Sequence, residues 1–222
     1  MDKLEFWTVC SANGIVLEKE QVDLVERYHR DLLYWNKQVN LISRKDEEHI
    51  LVRHILHSMA LLTQVEIPQR AHCLDIGTGG GFPGLPVKIA RPDITMLLAD
   101  SIAKKIKMTE MFAKHTELKK VSAVNIRVEE LAAKQKYSWA FDVIMARAVA
   151  PIGELVKWTR LALKPNGFWV FLKGGNLDEE IEQAVQQFPM LQVDVRQISM
   201  HGVPWFQEQD KKVVIAKFKR NS

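Results

Sequence analysis

The sequence predicts an α/β fold in which a seven-stranded, mostly parallel sheet follows a helical N-terminal extension. Three observations lead to this prediction. Apolar side chains recur at helical spacing through residues 1–70, whereas residues 71–222 alternate short apolar runs with helical ones, the pattern of a parallel sheet covered on both faces. The last two apolar runs have no helical pattern between them, which predicts an antiparallel final pair. We therefore divide the chain into an extension, residues 1–70, packed on a core domain, residues 71–222.

The individual elements follow from the same periodicities. Within the extension, residues 18–37 and 46–65 have helical spacing, and Pro68 ends the region. In the core domain, the predicted strands are residues 72–76, 94–99, 121–126, 141–146, 167–172, 191–198 and 212–218. Between the first six strands, the predicted helices are residues 84–90, 102–118, 129–134, 153–163 and 177–188. A loop containing Gly202 and Pro204 is expected to join the last two strands.

Composition excludes several classes of protein. No apolar run in the 222 residues approaches the ~18 residues of a membrane span. Cys10 and Cys73 are too far apart for a C-x-x-C motif, which favours a reducing, cytoplasmic compartment. No metal is expected, because His49, His54 and His57 lack the Cys or carboxylate pattern of a zinc site, which favours packing or surface roles. No helix has an unexplained apolar face, so we expect a monomer.

The distribution of charge is more informative than the net charge of +4. Residues 100–120 contain six lysines and three acids, and residues 205–222 contain five basic residues and two acids. Such basic clusters are compatible with a nucleic-acid partner. They are equally typical of solvated helix faces, and the sequence pattern leaves both interpretations open.

A glycine-rich segment directly after the first predicted strand indicates a ligand site. Gly79, Gly81 and Gly84 satisfy G-x-G-x-x-G, the fingerprint of a dinucleotide site. However, the loop that follows the strand opens at Gly77, so this frame begins two residues late. Pro83 also removes a backbone N–H that a phosphate would use. The dinucleotide interpretation is therefore disfavoured.

The alternative frame, Asp75-x-Gly77-x-Gly79-x-Gly81, suits a different cofactor. Its glycines let the backbone pass close to a ligand, and its acid would meet positive groups directly or through water. Asp100 ends the second predicted strand, where its carboxylate would accept hydrogen bonds from a ribose diol, although it would equally cap the helix that follows. A ligand with a cationic centre, an amino-acid tail and a ribose is S-adenosylmethionine.

Further candidate site residues follow the third and fourth strands. Val128, through its backbone, and Glu129 are placed to lie beside an adenine ring, although Glu129 would also suit a helix N-terminus as a charge. Arg147 ends the fourth strand. It would orient the cofactor, clamp a substrate phosphate, or form a structural ion pair.

The motifs that are absent narrow the chemistry of a methyl transfer. Cys10 and Cys73 are not placed to activate a cytosine ring as nucleophiles. The stretch "ARAVAPIG" after the fourth strand contains no N/D-P-P-Y/F-like motif, which methylation of an exocyclic amine would use. The remaining possibility is a target atom whose lone pair is already free, and guanine N7 is one such atom. For such a target, proximity would supply most of the acceleration.

Seven segments carry a likeness to a known family: "WNKQVNLIS", "LVRHILHS", "LDIGTGGGFPGLPVKIARP", "ADSIAKKIKM", "RVEEL", "FDVIMARAVAPIGELVKW" and "FLKGG". Together they resemble the bacterial 16S ribosomal RNA small subunit methyltransferase G family, also called glucose-inhibited division protein B. The likeness covers nearly the whole chain. It departs from the family pattern at His57, at Gly80 and in "DKKVVI".

The resemblance implies a Rossmann-like class I S-adenosylmethionine-dependent methyltransferase. Its expected reaction is methylation of N7 of guanine 527 in the 530 loop of 16S rRNA, within the 30S subunit. The cofactor contacts carried over are Gly77, Phe82, Val128, Glu129 and Arg147, with Asp100 at the ribose. Lys173, in "FLKGG", matches a lysine expected to face the RNA, so Arg147 and Lys173 are the candidate catalytic residues. A small-molecule methyltransferase, a nicotinamide oxidoreductase and a non-enzymatic RNA-binding assembly factor are the alternatives.

Overall fold

The structure is a computed structural model that describes residues 1–219; residues 220–222, at the end of the basic tail, lie outside the described residues. The α-helices are α1 (Lys3–Ala12), α2 (Lys19–Val39), α3 (His57–Met59), α4 (Gly84–Ala90), α5 (Ala103–His115), α6 (Val128–Ala133), α7 (Ile152–Thr159), α8 (Asp178–Gln187) and α9 (Trp205–Glu208). The strands are β1 (His72–Ile76), β2 (Thr95–Asp100), β3 (Val121–Asn125), β4 (Phe141–Arg147), β5 (Leu163–Gly174), β6 (Leu191–Gln197) and β7 (Lys211–Phe218).

The seven strands form one sheet in the order β3-β2-β1-β4-β5-β7-β6. Strands β1, β2, β3, β4 and β5 pair with one another in parallel, whereas β7 runs antiparallel to both β5 and β6. This confirms the predicted antiparallel final pair. The strand order reverses between β1 and β4, and ligands of open α/β sheets bind outside the carboxyl ends of the strands at such a point. The end of β1 and the end of β4 therefore border one crevice.

Helices cover both faces of the sheet. The first face packs against α1, α2, α4, α5 and the segment around α3, and includes Val143 and Met145 of β4. The second packs against α6, α7 and α8, and includes Ile144 and Ala146 of the same strand. Because side chains alternate along a strand, Arg147 continues the first face. The apolar side chains of the extension are thus continuous with the core on that face.

The predicted helix over residues 46–65 is wrong in its detail. The segment instead forms a 3-10 helix (Arg44–His49), a π-helix (Leu51–Leu56), the single turn α3 and a second 3-10 helix (Ala60–Thr63). Ile50 and Ile55, both buried, are five residues apart, the spacing that a π-helix places on one side. The spacing of these two residues is therefore longer than the period of an α-helix.

The connection between β6 and β7 also differs from the prediction. It contains the one-turn helix α9 instead of only a loop. Pro204 stands at its N-cap, where a fixed φ suits a helix start, and Phe206 anchors the turn because its side chain is fully buried. β5 is longer than predicted, and α5 ends at His115 instead of residue 118. Within residues 1–219, no helix has the length and apolarity needed to cross a membrane.

Candidate active site

The glycine loop, residues 77–83, joins β1 to α4 and opens at Gly77, as the Asp75 frame predicts. Gly77 and Gly79 have φ angles of 66° and 56°, in the left-handed region that favours glycine. The space beside Gly79 is open, since the nearest atom to a Cβ placed at this position would be the Gly77 carbonyl oxygen, 3.9 Å away. Beside Gly77, by contrast, Val149 Cγ2 would lie 2.5 Å from a Cβ. The loop therefore leaves an open cradle at Gly79.

Asp75 supports the glycine loop from beneath. Its side chain is completely buried, and its Oδ2 accepts from Thr78 Oγ1 at 2.6 Å and from the Gly84 backbone N–H at 2.9 Å. Within residues 1–219, Oδ1 has no hydrogen-bond partner. Burial raises the pKa of this carboxyl to about 7, although the bonds from Thr78 and Gly84 oppose the shift. Asp75 thus fixes the loop through one oxygen and keeps the other as an unused acceptor.

Asp100 fastens the glycine loop to the start of α5. Its Oδ2 accepts from the Gly79 N–H at 2.9 Å, and its Oδ1 accepts from the Ile102 N–H at 2.8 Å. Ile102 is the N-cap residue of α5, so the alternative of a local helix contact is present in the structure. Each carboxylate oxygen has a second lone pair. Binding of a ribose by Asp100 stays a prediction.

Arg147 and Phe82 lie together at the crevice. The guanidinium carbon of Arg147 lies 4.5 Å from the centre of the Phe82 ring, within the range of a cation–π contact. Its Nη1 donates to the Arg53 carbonyl at 3.3 Å, and its Nη2 donates to Nδ1 of His54 at 2.9 Å. Burial lowers the pKa of Arg147 to about 10, so the side chain is a cation at neutral pH. Both hydrogen-bond partners are uncharged groups, which does not fit the structural ion pair considered as an alternative.

Sequence reasoning missed His54 as part of this group. Its Nε2 lies 3.3 Å from Asp46 Oδ2, and Asp46 Oδ1 accepts from Arg53 Nη1 at 2.7 Å. The His54 ring also packs on Phe82, with centroids 5.2 Å apart. Burial, and then the charge of Arg147, lower the pKa of His54 to about 4. His54 is therefore a neutral bridge from the extension to the end of β4.

Two hydroxyl groups that carry no signal in the sequence also hold the loop. Tyr28 Oη donates to the Gly80 carbonyl at 2.7 Å, and Thr109 Oγ1 donates to the Gly79 carbonyl at 2.8 Å. The helical spacing of α2 places Tyr28 on its apolar face, and its ring does pack edge-on against Phe112. The carbonyl groups of the loop are thus fixed from α2 and from α5.

Lys173 is not brought together with Arg147. In the parallel pair, Arg147 lies opposite Leu172, and Leu172 belongs to the first face of the sheet. Lys173, the next residue, points to the second face, where its Nζ donates to the Ala150 carbonyl at 2.7 Å and to Glu180 Oε1 at 2.6 Å. The lysine therefore connects the loop after β4 to α8.

Val128 and Glu129 begin α6 directly after β3. Val128 packs against the second face of the sheet, whereas Glu129 is exposed. The Ile126 N–H donates to the Asp100 carbonyl at 3.0 Å, which places this turn next to the end of β2. The contact of both residues with an adenine ring stays a prediction.

The three histidines of the extension do not share a ligand. His49 is exposed, His54 contacts Arg147, and His57 packs edge-on against Trp205 and Phe206 with centroid distances of 5.7 Å. Nε2 of His57 is buried without a partner in the described part of the chain. Burial also holds the pKa of His57 well below its usual value, so it packs as a neutral ring.

The arrangement fits S-adenosylmethionine. An open cradle at Gly79 leaves room for a ligand beside the loop, and Asp75 Oδ1 is a buried acceptor without a hydrogen-bond partner in the described chain. Among residues 1–219, no carboxylate is hydrogen-bonded to Arg147, so its positive charge can face the carboxylate of an amino-acid tail. The Gly84 N–H, which a dinucleotide phosphate would need in the other frame, is already bonded to Asp75. The donor set therefore matches a zwitterionic sulfonium ligand.

Comparison with known proteins agrees with this geometry. A family model described as rRNA small subunit methyltransferase G matches residues 21–209. The chain belongs to the rRNA small subunit methyltransferase G family. A relative of that name from Chlorobium phaeobacteroides is 38% identical to this chain, and the match covers 96% of this chain and 95% of the relative. A second, from Chlorobaculum tepidum, is 37% identical, and the match covers 95% of each chain. Like the family as a whole, the chain is a methyltransferase that uses S-adenosylmethionine.

Solved structures with low sequence identity support the fold alone. A ribosomal protein L11 methylase from Lactobacillus delbrueckii subsp. bulgaricus matches with a TM-score of 0.57 and 16% identity, covering 78% of this chain and 80% of that one. A SAM-dependent methyltransferase from Aquifex aeolicus matches with a TM-score of 0.53 and 13% identity, covering 72% and 87%. The predicted class I methyltransferase fold is confirmed.

Proposed function

We propose that this member of the methyltransferase G family transfers a methyl group from S-adenosylmethionine to N7 of guanine 527 in the 530 loop of 16S rRNA, within the 30S subunit. The observation that carries the proposal is the chemistry at the end of β4. There the crevice presents the cation Arg147, held by neutral partners, in place of an amide or carboxylate that would accept from an exocyclic amine. Guanine N7 has a free lone pair and no proton to lose, so it needs no general base.

The residues of the site then act by binding and orientation. S-adenosylmethionine, when bound, supplies an electrophilic methyl group on its sulfonium. Asp100 holds the glycine loop at Gly79 and is assigned to the ribose, while Val128 and Glu129 are assigned to the adenine. Arg147 offers its remaining N–H donors to an anionic group, either the carboxylate of the cofactor or a phosphate of the RNA. In-line placement of the base supplies most of the rate acceleration.

The proposal also assigns the two parts of the chain. Residues 1–70 form an extension that packs on the core domain, residues 71–222, and contributes His54 to the site. The enzyme acts in the cytoplasm, where ribosomal subunits are assembled, and it acts as a monomer without a membrane contact.

Deletion of the gene tests this function. Mass spectrometry of 16S rRNA from the deletion strain is expected to show the loss of one N7-methylguanosine, restored by the wild-type gene. Complementation with Asp100→Ala is expected to restore only a small part of the modification, because loss of charge-assisted hydrogen bonds of ~1.5–3 kcal/mol weakens cofactor binding. Unchanged RNA modification in the deletion strain would favour a small-molecule methyltransferase. Binding of RNA by the wild-type protein without methyl transfer would favour an assembly factor.

A further inference from the structure

The exposed charges around the crevice are divided between two walls of opposite sign. The first, the basic wall, is formed by the extension and the start of α5. It consists of the exposed Lys37, Arg44, Lys45 and Lys104, together with the half-buried Arg53, which is paired with Asp46.

A short turn after α2 leads to Arg44 and Lys45. Asn36 Oδ1 accepts from the Leu41 N–H at 2.7 Å and from the Ile42 N–H at 2.9 Å, which fixes the chain as it leaves α2. The next residue after Lys45 is Asp46, which contacts His54, the partner of Arg147. Lys45 therefore lies one residue from the hydrogen-bonded chain that reaches Arg147.

Lys104 and Lys37 extend the same wall along the end of α2. Lys104 Nζ donates to the Gln38 carbonyl at 3.1 Å, which joins the first turn of α5 to the last turn of α2. Lys104 follows two residues after Ile102, which is bonded to Asp100. This part of the wall thus adjoins the glycine loop on the side of β2.

The basic wall carries a net positive charge, because its five cations outnumber the three acids of residues 46–48. Among the acids of this turn, Asp46 is paired with Arg53. Glu47 Oε1 accepts from the neutral Asn36 amide at 2.7 Å and so keeps its charge, and Glu48 is exposed. The ion pairs found among residues 1–219 leave four of the cations without a carboxylate partner: Lys37, Arg44, Lys45 and Lys104.

The opposite wall is acidic. It is formed by the first turns of α6 and α8, which begin after the carboxyl ends of β3 and β5 and pack on the second face of the sheet. Its exposed acids are Glu129, Glu130, Asp178 and Glu179, against the exposed cation Arg127. The positive charge of Lys173 is balanced by its ion pair with Glu180. A polyanion is therefore attracted to one side of the crevice and repelled from the other.

We infer that the basic wall binds the phosphate backbone of the RNA substrate and sets the direction from which the target base enters the crevice. The inference rests on the proposed function, because it takes the substrate to be RNA. It assigns substrate binding to the extension, residues 1–70, and to the first turn of α5, whereas the core sheet binds the cofactor.

A matched pair of charge reversals tests this. The double variant Arg44→Glu/Lys45→Glu alters the basic wall, and Lys119→Glu/Lys120→Glu makes the same change of charge before β3, at the amino edge of the sheet. The first is expected to raise KM for 30S subunits at least tenfold, with an unchanged Kd for S-adenosylmethionine by calorimetry. The second is expected to leave KM within about twofold of the wild type.

Salt dependence gives an independent measure. Because each neutralised phosphate contributes a slope of ~0.7–0.9 in log affinity against log salt, loss of two contacts is expected to flatten the slope by about 1.5. A KM or a slope equal to that of the amino-edge control would overturn the inference while leaving the proposed function standing. Wild-type protein that does not methylate 30S subunits would instead contradict the proposed function.

The kind of partner is tested by cross-linking. A photoreactive amino acid at position 45 is expected to attach to 16S rRNA in the complex with 30S subunits. Cross-links that fall on ribosomal proteins instead would overturn the assignment of this surface to RNA.

Discussion

Arg147 Nη2 donates to Nδ1 of His54 at 2.9 Å, across 93 residues of sequence. A guanidinium has no acceptor, so Nδ1 must carry the lone pair and Nε2 the proton, which faces Asp46 Oδ2 at 3.3 Å. The two charged neighbours thus fix one tautomer of a neutral imidazole. The low pKa of His54, about 4, agrees with this, since burial and Arg147 both disfavour a second proton.

Two amide substitutions at His54 separate its two contacts. The oxygen of His54→Asn lies near the position of Nδ1 and retains an acceptor for Arg147, whereas the amide of His54→Gln lies near Nε2 and retains only the contact with Asp46. We expect His54→Asn to keep kcat/KM within about fivefold of the wild type. We expect His54→Gln to lose ~10-fold to 100-fold, the value of a hydrogen bond to a charged group. Equal losses in steady-state kinetics would show that His54 only fills space.

The buried carboxylate of Asp75 makes stability depend on pH. Its folded-state pKa, about 7, lies above the ordinary value of 3.8, so the stability linked to it is fully present below about pH 3.8 and is lost as pH rises through about 7. At pH 8, Asp75→Asn is expected to raise the free energy of unfolding of the ligand-free protein by ~1–3 kcal/mol, because an unpaired amide costs less than an unpaired charge.

Urea unfolding at pH 8 and pH 5 checks this prediction, and the gain is expected to shrink at pH 5. The same variant should bind S-adenosylmethionine more weakly, because it loses a negative charge. Asp142→Asn serves as the control. Burial acts to raise the pKa of Asp142, but its bonds to His72 and Lys164 together lower it, so its loss should not stabilise the protein. A destabilised Asp75→Asn variant at pH 8 would contradict the burial of an unpaired charge.

Gly77 is constrained both by its φ angle and by Val149. A Cβ at position 77 would lie 2.5 Å from Val149 Cγ2, whereas at Gly175, with a φ of 74°, nothing lies within 4 Å. Gly175→Ala therefore measures the left-handed strain alone, ~1 kcal/mol. Gly77→Ala is expected to cost ~1–2 kcal/mol more, and the added substitution Val149→Ala should recover that excess. A double variant no more stable than Gly77→Ala in urea unfolding would argue against this close approach.

The contacts of Lys173 predict that it positions the loop after β4. Glu180 Oε1 accepts both from Lys173 and from the Ile152 N–H at 2.6 Å, so either side chain holds the same loop. Lys173→Met and Glu180→Gln are expected to lower kcat by similar factors and to leave the salt dependence of RNA binding unchanged. A large rise in KM for 30S subunits with Lys173→Met alone would instead support a lysine that contacts RNA.

Much of the fold follows from local periodicity. All seven strands can be predicted within a few residues, because alternating apolar runs separated by helical ones have few other solutions. The start of the glycine loop can be predicted because it depends only on where β1 ends. These are properties of short segments, which a sequence displays directly.

The contacts between distant segments could not be predicted in this way. His54, which contacts Arg147, lies in the π-helix of residues 51–56, a departure from the expected period. The opposite orientations of Arg147 and Lys173 depend on the register of β4 against β5, which the hydrophobic pattern of neither strand specifies. Asp100 is predicted as a ligand or a cap, and its bonds to Gly79 and Ile102 show that local sequence could not separate the two.

Methylation of purified 30S subunits with labelled S-adenosylmethionine, followed by mapping of the modified base, tests the central claim most directly. With subunits from the deletion strain, we expect one labelled methyl group per subunit from wild-type protein, on N7 of guanine 527, and much slower labelling with Asp100→Ala. Label on another base or atom, or transfer to a small molecule but not to 30S subunits or 16S rRNA, would contradict the account.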